Sequence, residues 1–403
     1  MKKVVITGVG AVTSLGYNVD DFWNGLITGK CGMKRYTRIP TEGHDTTVAA
    51  QVDDGFEKVA AQYWKKRQLN ATTTATRMGL ASACEAVEDS GLDISSYDVS
   101  RVGVVYGIID NSFEDYEVEK KLNITLKKMT NELPALVSIK YGFKGPAFNL
   151  STACASSAYA LAIGKQFIES GLCDMVVTGG VSNTVTNLVI SGFNQLLAMS
   201  VNPDPNTAAR PFTKNRDGFI MGEGGGSVVI ESEESAKARG ARIYCELAGS
   251  SMYSEAFNLT APQTDGIGMA NTIRMALENA GIAPDLVDYI NAHGTSTSLN
   301  DLYETMAIKD VFGKKAYDIP VSSIKAAIGH TLGASGALEA IACVKAIETG
   351  IIPPTIHYDD PDPELDLNYV PNEAQKHNVN VAVSNSFGFG GHNATLVFKK
   401  YDK

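Results

Sequence analysis

Short apolar runs rich in valine and isoleucine recur along the chain, each bounded by glycine and set between stretches of helical character. The first, Val4-Val5-Ile6-Thr7-Gly8-Val9, predicts a buried strand running into a glycine turn. Residues 86–107 end a helix with Ala-Val-Glu-Asp-Ser-Gly-Leu and go on, after a connector, to the apolar strand Arg101–Gly107. Residues 276–294 repeat that order, with Ala-Leu-Glu-Asn-Ala-Gly-Ile followed by the strand Val287–Gly294. A second echo is closer. Cys154-Ala-Ser-Ser-Ala-Tyr reaches Ile168-Glu169-Ser170-Gly171 over the same length that takes Gly333-Ala-Ser-Gly-Ala-Leu to Ile347-Glu348-Thr349-Gly350. Each predicts a small-residue helix that packs closely and stops at glycine. First strands correspond too, Lys3–Gly8 in one half and Arg242–Ala248 in the other.

The pattern therefore predicts an α/β protein made of two related halves, residues 1–240 and 241–403. Strands without polar alternation call for sheets covered by helices on both faces. Duplication also has a chemical consequence. Corresponding helices meet near a pseudo-twofold axis with their N-termini close together, a natural place for a site shared by both halves.

Composition narrows the function. The 403 residues are 44% hydrophobic and 20% charged, the balance of a globular protein with sizeable cores. No apolar run reaches the ~18–20 residues of a membrane span. Met1-Lys2-Lys3 before Val4–Val12 imitates a signal peptide, but two glycines interrupt the run and no small-residue cleavage site follows. Six scattered cysteines without a CxxC pair fit a reducing cytosol and offer no metal-ligand spacing. A net charge of −10 argues against nucleic acid as a partner. One local basic cluster, Lys65-Lys66-Arg67, follows Trp64. By charge alone it is a solvated helix face.

Three residues stand out chemically. Cys154 lies between an apolar strand ending at Leu150 and the start of a small-residue helix. Unpaired N–H groups and the helix dipole there predict a thiolate with a pKa lowered from ~8.5 into the ~3.5–7.5 range. The other cysteines sit in apolar elements or, for Cys31, in a turn, and read as inert. His293 ends a strand and opens Gly294-Thr295-Ser296-Thr297. His330 closes Ser322–Gly329 and precedes the helix that echoes the Cys154 helix. A lone histidine is more often a satisfied core group, but these two stand at element ends that the duplication aims at Cys154. The run Ser386-Phe387-Gly388-Phe389-Gly390-Gly391 reads as a hairpin turn, since it lacks the frame of a phosphate loop.

Together these segments resemble the β-ketoacyl–acyl carrier protein synthases, specifically the elongating type II group of the thiolase superfamily. The resemblance rests on Ala153-Cys154-Ala155-Ser156-Ser157, Asn291-Ala292-His293-Gly294-Thr295, Lys325 through Gly329-His330, and Asn385–Gly391. Arg210-Pro211-Phe212, Arg216-Asp217-Gly218-Phe219 and Gly222-Glu223-Gly224 add to it. It implies a five-layered α/β/α/β/α thiolase fold and an acyltransferase that condenses malonyl–carrier with an acyl group held on Cys154. His293 and His330 would stabilise the enolate, with Lys325 and Glu339 ordering them. The backbone N–H groups of Cys154 and Phe389 would form an oxyanion hole, and Phe389 would gate the acyl tunnel. Thr295 and Thr297 would hold the pantetheine arm. Asn291, Glu339, Ser384 and Asn385 resemble a monovalent-cation site, and no other cofactor is implied. Lys65, Lys66 and Arg67 would face an acidic acyl carrier protein.

Cys-His-His separates this group from thiolases, which use a second cysteine, and from chain-initiating synthases, which use Cys-His-Asn. A non-catalytic pairing subunit would lack the nucleophile, and a cysteine hydrolase would need an Asn or Asp orienter. The sequence departs from the family at Gly107-Ile108-Ile109-Asp110-Asn111-Ser112, and the stretch from there to Cys154 is shorter by roughly ten residues. Ile109 and Asp110 would fall at the acyl pocket, where a carboxylate disfavours a long saturated tail. Ser298 stands for a common proline and His392 for a common threonine. Fatty-acid and specialised polyketide or polyene synthesis both stay open, as do a homodimer and a heterodimer with a related ketosynthase-like subunit.

Overall fold

The computed structural model describes residues 2–109 and 124–402. Its centre is β1 (Val4–Thr13), all ten residues of which are buried. The glycines expected to end this strand lie inside it instead. A Cβ on Gly8 would come 2.1 Å from the Ala86 carbonyl oxygen, and one on Gly10 would come 2.0 Å from that of Ser82. Both carbonyls belong to α1 (Thr74–Asp89), which lies directly on the strand. Glycine here serves close packing, not a turn.

β1 pairs antiparallel with β5 (Gly224–Ser232), outside which lie β4 (Met175–Ser182), β2 (Val102–Ile108) and β3 (Ala147–Leu150). The other half runs outward from β6 (Cys245–Ser254) through β10 (His392–Lys400), β9 (Val381–Gly388) and β7 (Tyr289–Asn291) to β8 (Val321–Ser322). The orders β1-β5-β4-β2-β3 and β6-β10-β9-β7-β8 match strand for strand. So do the directions, with two antiparallel pairings on the inside and two parallel ones outside. The halves are joined through Val5↔Glu246 and Ile6↔Cys245, so the ten strands form one hydrogen-bonded sheet.

Two helices lie between the halves, α2 (Ser156–Glu169) and α5 (Ser335–Thr349), and each contacts strands of both. The outer faces carry α1 on one side and α3 (Ile267–Ala280) with α4 (Ser298–Phe312) on the other. With each half of the sheet counted as a layer, this gives helix, sheet, helix, sheet and helix in succession. Small residues let the central helices approach: a Cβ on Gly336 would stand 2.8 Å from the Ala158 nitrogen. Larger side chains such as Leu161, Leu338 and Ile341 fill the remaining space and are wholly buried. Truncating one of them to alanine costs ~2–5 kcal/mol. The two N-terminal ends touch, with Ser157 Oγ accepting from the Ala337 N–H at 2.9 Å.

Candidate active site

Cys154 sits in the turn from β3 into α2 and is 7% exposed. Ala153 just before it has φ of 48°, a conformation costly for a residue with a side chain. Ser156 holds the turn, its Oγ donating to the Ala153 carbonyl at 2.6 Å and accepting from the Thr152 N–H at 2.9 Å. The backbone N–H groups of Phe389 and of Cys154 itself are directed at the sulfur. The downward shift expected from the helix terminus is reversed. Burial pushes the thiol up to about 11, against the pull of the Lys325 charge and those two N–H groups. Cys154 precedes the first helical residue by two positions, so the dipole acts from a distance while loss of water acts in full.

His293 follows β7. Its backbone N–H and that of Gly294 both donate to the Glu304 carboxylate at 2.8 Å. Its Nδ1 lies 3.3 Å from Lys325 Nζ, and Lys325 is ion-paired with Glu339, both buried. An ammonium has no lone pair, so His293 Nδ1 is the acceptor and Nε2 carries the proton. His330 reaches the same state differently. Its Nδ1 accepts from the Leu332 N–H at 3.3 Å and lies 3.1 Å from Ser335 Oγ. Its backbone pairs with the segment before β5, through Ile220 O at 2.7 Å and Gly222 N at 2.9 Å. Burial holds both imidazoles well below the usual 6.5, and the Lys325 charge adds to it. Two neutral rings therefore stand 5.4 Å apart, nearly perpendicular. Cys154 Sγ and one nitrogen of each ring all lie within 4.8 Å of one another.

These three residues line a cavity of about 300 Å³. Thr295 and Thr297 form part of its wall, their hydroxyls 2.9 Å apart. Phe389 stands over it, partly exposed, its ring 6.3 Å from that of Phe193. Its loop is tied down by Gly390 N–H donating to Leu259 O at 2.6 Å. Ile109 packs against the buried cluster that includes Cys154 and Leu332, while Asp110 lies outside the described residues.

At the named cation residues, Asn291 Oδ1 and Ser384 Oγ are buried without a hydrogen-bond partner, and the two residues are register neighbours on β7 and β9. Asn385 gives its amide to Glu304 at 3.2 Å and accepts from Thr395 at 3.0 Å, and Glu339 already faces Lys325. Two orphaned oxygens on register-paired residues suit a hard, oxygen-seeking monovalent cation. Lys65, Lys66 and Arg67 are exposed around a short helix and do not line the cavity.

Sequence reading passed over Glu304 and Ser335. Glu304 had a usable signal, since Asp301 and Glu304 fall three apart on one helical face directly after the Gly294–Thr297 loop. Ser335 had none: it lies only five residues beyond His330, but it meets the ring through the turn at Leu332, whose φ of 44° no local residue type announces.

The sequence matches the family model for the β-ketoacyl synthase N-terminal domain over residues 1–236 and that for the C-terminal domain over residues 244–359. It is 40% identical to the 3-oxoacyl-[acyl-carrier-protein] synthase 2 of Synechocystis, covering 99% of this chain and 98% of the relative. Among solved structures it resembles the ishigamide ketosynthase/chain length factor, with a TM-score of 0.91 and 33% identity. It also resembles a type II polyketide ketosynthase bound to the hexaketide in complex with its acyl-carrier protein, with a TM-score of 0.89 and 33% identity. Each of these two chains is covered in full, as is this one. The two-half, five-layer arrangement is the thiolase fold these ketosynthases share.

Proposed function

The chain belongs to the β-ketoacyl synthase family and is a β-ketoacyl–acyl carrier protein synthase, and on that premise we propose that Cys154, His293 and His330 divide its two half-reactions between them. Cys154 sulfur attacks an acyl thioester, and the proton it loses is matched by the one the expelled pantetheine sulfur takes up. The tetrahedral oxyanion is met by the N–H groups of Cys154 and Phe389, and collapse gives acyl-Cys154 and a free pantetheine thiol. A malonyl thioester then places its carbonyl oxygen against the Nε2–H groups of His293 and His330. Loss of CO₂ leaves an enolate whose oxygen both neutral rings stabilise, each donor contributing ~3–4 kcal/mol. The enolate carbon attacks acyl-Cys154, forming the new C–C bond and breaking the C–S bond. The departing Cys154 thiolate takes up a proton from solvent.

Lys325, paired with Glu339, fixes the tautomer of His293 and opposes protonation of both rings. Thr295 and Thr297 offer hydroxyls to the pantetheine arm, and Phe389 gates the cavity. A monovalent cation held at Asn291 and Ser384, beside Glu339 and Asn385, would neutralise buried carboxylate charge. Lys65, Lys66 and Arg67 form the docking face for an acidic carrier, and a reducing cytosol suits six free cysteines. The convergence of the sulfur and two ring nitrogens within 4.8 Å carries this reading. It speaks against a non-catalytic pairing subunit. It also speaks against a cysteine hydrolase, since His330 Nδ1 meets a hydroxyl and an N–H and no carboxylate.

The test loads the enzyme with acyl–carrier or acyl-pantetheine and locates the added mass. One acyl group on the Cys154 peptide is expected. Charge reversal at Lys65, Lys66 and Arg67 should slow loading from carrier and spare loading from pantetheine. Acyl mass on another residue overturns the nucleophile assignment, and equal loss from both donors overturns the docking face.

A further inference from the structure

The loop Gly294–Ser298 presents its two threonine hydroxyls to the cavity in a strained form. Ser296 has φ of 68°, and a non-glycine residue holds that conformation only where its surroundings fix it. The surroundings are residues 210–218. Arg210 N–H donates to Ser296 Oγ at 3.1 Å, and Gly218 N–H donates to Ser296 O at 3.0 Å. Between them lies Arg216, whose side chain is 8% exposed. Its guanidinium donates to Thr297 O at 3.3 Å and to Ser298 O at 3.1 Å from the loop. It also donates to Thr213 O at 2.8 Å and to Asp362 Oδ2 at 2.6 Å on the far side. Asp301, fully buried in the first turn of α4, stands 4.0 Å away and accepts from Phe212 N–H at 2.8 Å. One planar fork thus joins the loop, the 213–216 turn and Asp362, and no point charge could meet all of these directions at once.

We propose that Arg216 is a positioning residue for pantetheine binding: it holds the Gly294–Ser298 loop in the one shape that offers Thr295 and Thr297 to the arm. It touches neither the reacting carbon nor the sulfur. This rests on the reading of Thr295 and Thr297 given above, and it makes a claim about KM that a merely structural arginine would not make.

The experiment compares Arg216→Lys and Arg216→Met with the parent enzyme using acyl-pantetheine and acyl–carrier substrates, alongside alkylation of Cys154 by iodoacetamide and thermal melting. Arg216→Met should raise KM for both substrates by about 10-fold, with kcat changed far less. Arg216→Lys keeps the charge but loses the fork, and should retain most of that defect with near-parental melting. Alkylation of Cys154, which needs no loop, should proceed at the parent rate in both. Unchanged KM in both variants, full rescue by lysine, or alkylation falling in step with KM would each overturn the proposal. Thr295→Val with Thr297→Val separates the two readings. If that pair leaves KM alone while Arg216→Met raises it, the loop is positioned by Arg216 but binds through its backbone. If the pair raises KM and the Arg216 variants do not, the positioning claim alone fails.

Discussion

The turn that leads into α2 and the turn that leads into α5 are the same structure carrying different chemistry. Cys154 and Gly333 open the two matching helical segments, and the residues just before them, Ala153 and Leu332, have φ of 48° and 44°. Ser156 and Ser335 occupy equivalent places, the first position of each helix. Ser156 Oγ braces the Cys154 turn through Ala153 O and Thr152 N–H, whereas Ser335 Oγ faces His330 Nδ1. His330 itself stands where the first half has Ser151. One half has turned the strained corner into a place for a nucleophile, and the other into a support for a hydrogen-bond donor. A duplicated scaffold allows this because the pseudo-twofold axis brings both corners to one cavity, where two half-reactions need opposite things from their residues.

Substitutions can break that comparison. The largest effect is expected at the histidines. His293→Ala or His330→Ala should lower malonyl–carrier decarboxylation by about 10²–10³-fold, the usual loss for one oxyanion donor. Loading of Cys154, followed by intact mass, should change little. A parental rate of CO₂ release in both variants would remove the enolate role. A smaller and sharper effect is expected at the serines. A hydrogen bond of net ~0.5–1.5 kcal/mol corresponds to a few-fold to ~10-fold change in rate. Ser156→Ala should slow loading of Cys154 and leave CO₂ release alone, and Ser335→Ala should do the reverse. Both serines acting on the same step would show that the corners do not divide the work.

Much of this was legible in the sequence. Periodic Val- and Ile-rich runs and the exact spacing from Cys154 to Gly171 and from Gly333 to Gly350 gave the halves, because side-chain burial repeats wherever a fold repeats. The convergence of Cys154, His293 and His330 followed from their positions at element ends. Three things were not legible. Gly8 and Gly10 looked like a turn, since nothing local reveals that α1 lies on that strand. The sign of the Cys154 shift is set by depth of burial, which a sequence does not reveal, and not by helix position, which it does. The Nδ1 partners that set the tautomers are hidden for different reasons. Lys325 reaches His293 from 32 residues away, while Leu332 and Ser335 reach His330 from two and five residues on, but only through the shape of the turn between them.

The central claim is that the C-terminal corner works without the N-terminal one. It is tested most directly by CO₂ release from malonyl–carrier on the Cys154→Ala enzyme, followed from neutral pH down through 6.5. The histidines are held neutral with pKa values well below 6.5, so each Nδ1 stays free to accept from Lys325 or Leu332 and keeps its Nε2–H aimed at the cavity until the medium is more acidic than that. The account predicts that condensation is lost while CO₂ release continues, with a rate that stays level through pH 6.5 and falls only in stronger acid. CO₂ release that vanishes with the cysteine, or that titrates away with a midpoint at 6.5, would contradict it.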